Sequence, residues 1–195
     1  MTDLWASSTP TKWRKALDAY QDVVARQGSA TLPDLDAWYR EVLPDAMKAR
    51  RPMHVTLPEL VRLTEWKMAR GVWRARNLAL VRGNAPAAVV ETSKEALSKV
   101  PHPTVPIATL ATLDGVGPAT ASAVAAAVAP AVYPFFDELV AAQVPSLGKV
   151  AWTLGYYARY AAALRERAAQ LDRGWTAAMV ERALWASVGG KAGAR

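Results

Sequence analysis

An all-α fold is predicted from three observations. Apolar residues recur at the 3.6-residue spacing of amphipathic helices along most of the chain. Helix start and stop signals bracket those stripes. No stretch shows sustained period-2 alternation, and no unit repeats at a period of roughly 20–50 residues.

The elements follow in order. In residues 12–27, Trp13, Ala16, Leu17, Tyr20 and Val24 share one face, and Gly28 stops the helix. Pro33 opens a second helix with Leu35, Trp38, Tyr39 and Val42 inward, and Pro44 kinks or ends it. Thr56 and Glu59 form a capping box with Pro58 in the first turn, starting a third helix that runs through Trp66 and, past Gly71, toward Leu80. Residues 85–99 read as a fourth helix, followed by the loop Pro101-His102-Pro103-Thr104-Val105-Pro106. Two small helices flank a Gly-Val-Gly turn at 115–117. Residues 147–171 form a long, tyrosine-rich helix, 176–188 a last one, and 189–195 a mobile tail.

Composition narrows the function classes. The chain has 195 residues, 52% of them hydrophobic, with 8 Trp. That is enough for one large domain or two small ones sharing an interface, and it is not the composition of a disordered chain. With no cysteine, disulfides, zinc–cysteine sites and cysteine-held clusters are excluded. The opening, MTDLWASSTPTKWRK, lacks the apolar core of a signal peptide. The longest mostly apolar stretch, residues 121–136, is broken by Ser122, Pro130 and Pro134 and falls short of the about 20 residues that span a bilayer. A cytoplasmic protein with no membrane contact is expected.

Charge is clustered. Lys48, Arg50, Arg51, Arg62, Lys67, Arg70, Arg74, Arg76 and Arg82 face only Glu59 and Glu65 between positions 47 and 82, so this segment carries the whole net charge of +7. Such a surface fits a polyanion, most commonly nucleic acid, or is simply a solvated arginine-rich face. If the third helix continues, Lys67, Arg70 and Arg74 make a basic stripe beside Trp66 and Trp73. Cations for phosphates next to aromatics for bases is one reading; a core tryptophan pair is the other. His54 and His102 show no metal-ligand spacing, and Ser122 has no partnered histidine. No metal is expected.

The segment Ile107 to Val124 carries the most specific pattern. Gly115 and Gly117 allow a sharp turn and close approach of another surface, and Pro118 fits the first position of the next helix. The free N–H groups of that first turn, near Ala119, Thr120 and Ala121, make a phosphate site. An ordinary αα-hairpin is the structural alternative. Leu113, Gly115, Val116, Gly117, Thr120 and Ala121 all match the core of the helix-hairpin-helix motif, which this segment resembles and which grips nucleic-acid backbone without reading sequence.

The residues that follow extend the resemblance to the HhH-GPD superfamily of DNA glycosylases. In that family a Gly/Pro-rich loop after the hairpin leads to an aspartate at the mouth of the base pocket. Here Pro130 and Pro134 precede Phe135-Phe136-Asp137-Glu138, and Asp137 stands 18 residues after Ala119, the spacing of endonuclease-III-like members between lyase lysine and aspartate. The loop lacks a glycine, a departure from the pattern. Asp137 fits two roles: the N-cap of the helix that follows, or the carboxylate that stabilises an oxocarbenium ion or orients water. Glu138 is the alternative acid.

The resemblance implies a compact two-lobed unit over 1–195. Residues 52–140 form a central lobe with the hairpin at 107–128, and 1–51 pack with 141–188 as the other lobe. The β-sheet of some members has no counterpart here. It implies a monofunctional glycosylase, because Ala119 stands where bifunctional members have the lysine that forms a Schiff base. It also implies Asp137 as catalytic; Gly115, Gly117, Ala119, Thr120, Lys67, Arg70 and Arg74 on phosphates; and Trp66, Trp73 and Phe136 around the flipped base. Alkylated purines rank slightly first among substrates, through cation–π attraction. The expected partner is DNA, bound by a monomer associated with the nucleoid, with no cofactor beyond a monovalent cation at the hairpin. A non-catalytic hairpin DNA-binding module is the competing class.

Overall fold

A computed structural model describes residues 4–193, and every regular element among them is helical. The first expected helix is two: α1 (Pro10–Asp18) and α2 (Tyr20–Ala25), separated at Ala19, where ψ relaxes to −5°. Pro33 opens α3 (Leu32–Ala37) as expected. The kink expected at Pro44 takes the form of a π-turn over Trp38–Val42 before α4 (Leu43–Ala49), with the Leu43 N–H donating to the Trp38 carbonyl five residues back.

α5 (Leu57–Arg70) starts where Glu59 gathers the chain. Its Oε2 accepts from the Thr56 N–H and hydroxyl, both at 2.8 Å, and Arg50 clamps the same carboxylate at 2.7 and 2.9 Å. The helix does not continue to Leu80. It ends at Gly71, whose φ −122° and ψ −118° leave the helical region, and the chain restarts as α6 (Ala75–Arg82).

α7 (Pro86–Ser98), α8 (Val105–Leu110) and α9 (Pro118–Val128) follow, then the short α10 (Glu138–Ala141) and a 3₁₀ turn at Pro145–Leu147. The long helix starts later than expected: α11 covers Leu154–Leu171, its first turn capped by Thr153, which accepts from the Tyr156 N–H. Residues 148–153 are therefore loop. α12 (Ala177–Ser187) is capped by Thr176 in the same way.

Packing places α12 at the centre of the terminal helices: α1, α2 and α11 lie on it. α5 organises the middle of the chain, touching α3, α6, α7 and α9, while α8 packs on α7 and α9. Residues 32–49 lie against both groups, α3 on α2 and α5, α4 on α9, and one continuous apolar core runs through all of them. Nor is the chain end loose up to residue 193. Gln27 donates to the Gly189 carbonyl and accepts from the Ala192 N–H, and α13 (Gly190–Gly193) packs on α12. Residues 194–195 of the expected tail lie outside the described residues. No helix among those described is long and apolar enough to cross a membrane.

Candidate active site

A cleft of about 440 Å³ opens where three segments converge: the end of α5 with its following loop, the start of α9, and the loop leading into α10. Its hairpin wall depends on Gly115, in the left-handed region at φ +73°, where a Cβ would stand 2.7 Å from the Asn77 carbonyl oxygen and 2.9 Å from the Val81 nitrogen. Only glycine fits there. Asn84 braces the turn, donating to the Asp114 carbonyl at 2.9 Å and accepting from the Asp114 N–H at 3.0 Å, while Leu113 and Val116 anchor it in the core.

Gly117 differs. It is extended, faces the cleft, and a Cβ there would meet nothing within 4 Å. As the N-cap of α9 it offers no side chain, so the Ala119 and Thr120 amides find no acceptor among the described residues. The Thr120 hydroxyl is buried and also unpartnered. Ala119 and Thr120 both line the cleft, giving it three unused donors at the positive end of an 11-residue helix.

Opposite them the loop before α10 is fixed from both sides. Ser122 of α9 accepts from the Phe136 N–H at 2.9 Å, and the Tyr160 and Tyr157 hydroxyls of α11 donate to the Phe135 and Pro134 carbonyls at 2.7 and 3.2 Å. Ser122 is thus a brace. This framework delivers Asp137 to the cleft wall with 8% of its surface exposed. Of the two roles open for Asp137 the structure shows the cap: Oδ1 accepts from the Leu139 N–H at 2.8 Å at the start of α10, while Oδ2 lies 3.6 Å from Arg70 Nε. Burial pushes its carboxyl above the usual range, against the pull of Arg70 and the helix amides. Glu138 is also on the wall.

Several expected positions are corrected. Trp66 is 0% exposed and does not line the cleft; its Nε1 donates to Asp36 at 2.9 Å and its ring stacks on Tyr39 at 3.8 Å. It is core. Asp36 is buried with it, and although burial opposes its charge, Arg40, Trp66 and Tyr20 hold it below the usual carboxylate range. Trp73 is 58% exposed, beyond the end of α5 and outside the cleft lining, because Gly71 broke the helix on which it was to pair with Trp66. The aromatic that joins Phe136 is Trp152, 46% exposed in the loop before α11, its ring 4.8 Å from that of Phe136. Sequence reading missed it by placing it inside the long helix.

Arg70 is no surface cation. It is 1% exposed, ion-paired to Glu181, and stacked over Trp185 at 4.4 Å. Lys67 and Arg74 do reach the cleft, from the helix and the loop respectively, and Lys191 joins them from α13. Burial, with Arg74 adding repulsion, lowers the Lys67 ammonium to about 8. Much of the remaining basic cluster is engaged elsewhere: Arg50 with Glu59, Arg82 with Glu65, and Arg62 over the Trp38 ring. His102 accepts from the Val105 N–H at the start of α8.

Compared with known proteins, the chain matches no family model, no curated protein and no solved structure. The site's chemistry is therefore read from its own geometry. An anion fits against the free amides of α9 and the three cations, a flat ring fits against the exposed Trp152, which covers the buried Phe136, and a carboxylate lies in the same cleft.

Proposed function

We propose that the chain is a monofunctional DNA N-glycosylase acting on a damaged or modified base. The observation that carries this reading is the sharing of one cleft by Asp137 and the uncapped start of α9. DNA backbone is gripped at the Ala119 and Thr120 amides, with Gly117 allowing close approach and Lys67, Arg74 and Lys191 supplying charge. A nucleotide rotated out of the duplex places its base against Trp152, which Phe136 backs from the core. Cleavage of the N-glycosidic bond leaves positive charge on the sugar, which the ionised Asp137 stabilises while directing water to it. Ala119 offers no amine at the hairpin and Lys67 is assigned to phosphate, so an abasic site remains. Alkylated purines, cationic and good leaving groups, rank first among substrates because the exposed Trp152 ring in the cleft attracts cations.

A second reading, a hairpin DNA-binding module without chemistry, draws on the cap that Asp137 provides to α10, a purely structural use of the residue. Chromatography of free base after incubation with lesion-bearing duplexes separates the two. Released base supports the glycosylase, and binding with every lesion intact supports the module.

Lys67 makes binding pH-dependent. Its ammonium is charged below about 8 and neutral above, so the attraction for phosphate is present at lower pH and lost as pH rises through that value. Fluorescence anisotropy at fixed ionic strength is expected to show weaker duplex binding across this window. Lys67→Ala should flatten the pH dependence and reduce the log–log salt slope by about 0.9. An unaltered slope would remove Lys67 from the phosphate contacts.

A further inference from the structure

At the cleft wall, two carboxylates flank one buried cation. Arg70, in the last turn of α5, gives an Nη2 hydrogen bond to Glu181 Oε1 of α12. Its Nε lies 3.6 Å from Asp137 Oδ2, outside hydrogen-bond distance. Nε and Nη1 are buried without an acceptor, although the rings of Trp185, Phe135 and Trp66 surround the guanidinium at 4.4, 5.2 and 5.6 Å. A buried guanidinium with idle donors beside a carboxylate would ordinarily close on it as a forked pair. Here the pair with Asp137 stays at 3.6 Å, longer than a hydrogen bond, and the hydrogen bond that the guanidinium gives to a carboxylate goes to Glu181.

We propose that Glu181 is a positioning residue: by drawing Arg70 to α12 it leaves Asp137 without a hydrogen-bonded cation, free to take up and release a proton in the cleft. This role in the reaction rests on the glycosylase reading; the geometry behind it does not. The groups facing Asp137 are Arg70 from α5, Glu138 beside it in α10, Glu181 from α12 and Tyr160 from α11, with Lys67, Arg74 and Lys191 sharing the cleft. Burial holds Tyr160 neutral, its hydroxyl well above the usual range. Burial also raises the Glu181 carboxyl, with Arg70 opposing, so both acids hold protons more tightly than in water. Arg70, divided between them, satisfies neither fully.

Glu181→Gln keeps the size of the side chain and an oxygen for Arg70, but removes the charge. Two consequences have the same sign. Arg70 finds its strongest acceptor in Asp137 and closes on it, and the repulsion between the two carboxylates disappears. Each favours ionised Asp137, so its titration midpoint falls, by about one pH unit or more for a carboxylate gaining a close arginine.

The experiment is a ¹³C NMR titration of aspartate-labelled full-length protein, with the Asp137 carboxyl signal assigned through Asp137→Asn. It needs no substrate. In the wild-type protein the midpoint is expected above the ordinary aspartate value of about 3.9, and in Glu181→Gln well below the wild-type one. An unchanged midpoint would overturn the proposal. If Glu181→Gln does not fold, Glu181→Asp reads the same positioning with the charge kept: the shortened carboxylate releases Arg70 toward Asp137 and the midpoint falls, and a folded Glu181→Asp with the wild-type midpoint overturns the proposal equally. A shifted midpoint in a protein that excises no base upholds the positioning geometry and removes the glycosylase reading.

Discussion

Asp137→Asn is expected to slow single-turnover base excision by about a thousandfold while leaving duplex binding intact. The substitution is selective because the two uses of the side chain separate. Asparagine caps helices about as well as aspartate, so the Leu139 N–H that Asp137 now bonds at 2.8 Å keeps an acceptor. Arg70 keeps its ion pair with Glu181. What disappears is the buried negative charge on the cleft wall to which the proposed mechanism assigns stabilisation of the cationic sugar. Asp137→Ala loses the cap as well and should be destabilised by about 1 kcal/mol more than the asparagine variant. Denaturant midpoints and excision rates for the pair therefore apportion Asp137 between structure and chemistry. Equal excision by wild type and Asp137→Asn would remove Asp137 from the reaction.

Gly115→Ala collapses the hairpin. Its backbone is at φ +73° and the new methyl would press within 2.9 Å of three atoms of α6, two of them backbone. Strain in the left-handed region and the collision add, giving a loss of about 3 kcal/mol or more, measured as a lowered denaturant midpoint. Gly117→Ala is the control two residues away. There the backbone is extended and the space is empty, so stability should change by no more than about 0.5 kcal/mol. Duplex affinity should nevertheless fall on the order of tenfold, because the methyl stands where backbone phosphate must approach. If Gly117→Ala binds as tightly as the wild type, the hairpin turn is not the grip.

These two glycines show what the sequence made legible. Gly-Val-Gly-Pro specified the turn and the helix start because glycine and proline act locally, through their own φ and their missing atoms. Asp137 stands on the cleft wall at its expected spacing from Ala119, and of its two possible roles the cap is the one the fold displays. The basic stripe failed for a nonlocal reason. Whether Arg70 reaches solvent depends on Glu181, 111 positions later in the chain, and no periodicity within α5 reports a partner on α12. Trp66 and Trp73 were paired on the assumption of an unbroken helix, and the break at Gly71 sent one into the core and the other to the surface. Trp152 and Lys191 were invisible because each was assigned to the wrong kind of segment. A stricter rule for helix starts, with Thr153 as the cap, would have released Trp152 into a loop.

The central claim is tested most directly by a single-turnover assay on oligonucleotide duplexes carrying alkylated, deaminated, oxidised or abasic sites, each reaction divided between neutral and hot-alkali workup. Strand breaks are expected only after alkali, on at least one base lesion, with the alkylated purine cleaved fastest, and none with Asp137→Asn. Breaks without alkali would contradict the monofunctional mechanism and point to the Lys67 amine in the cleft. Tight binding with every lesion intact would contradict catalysis itself.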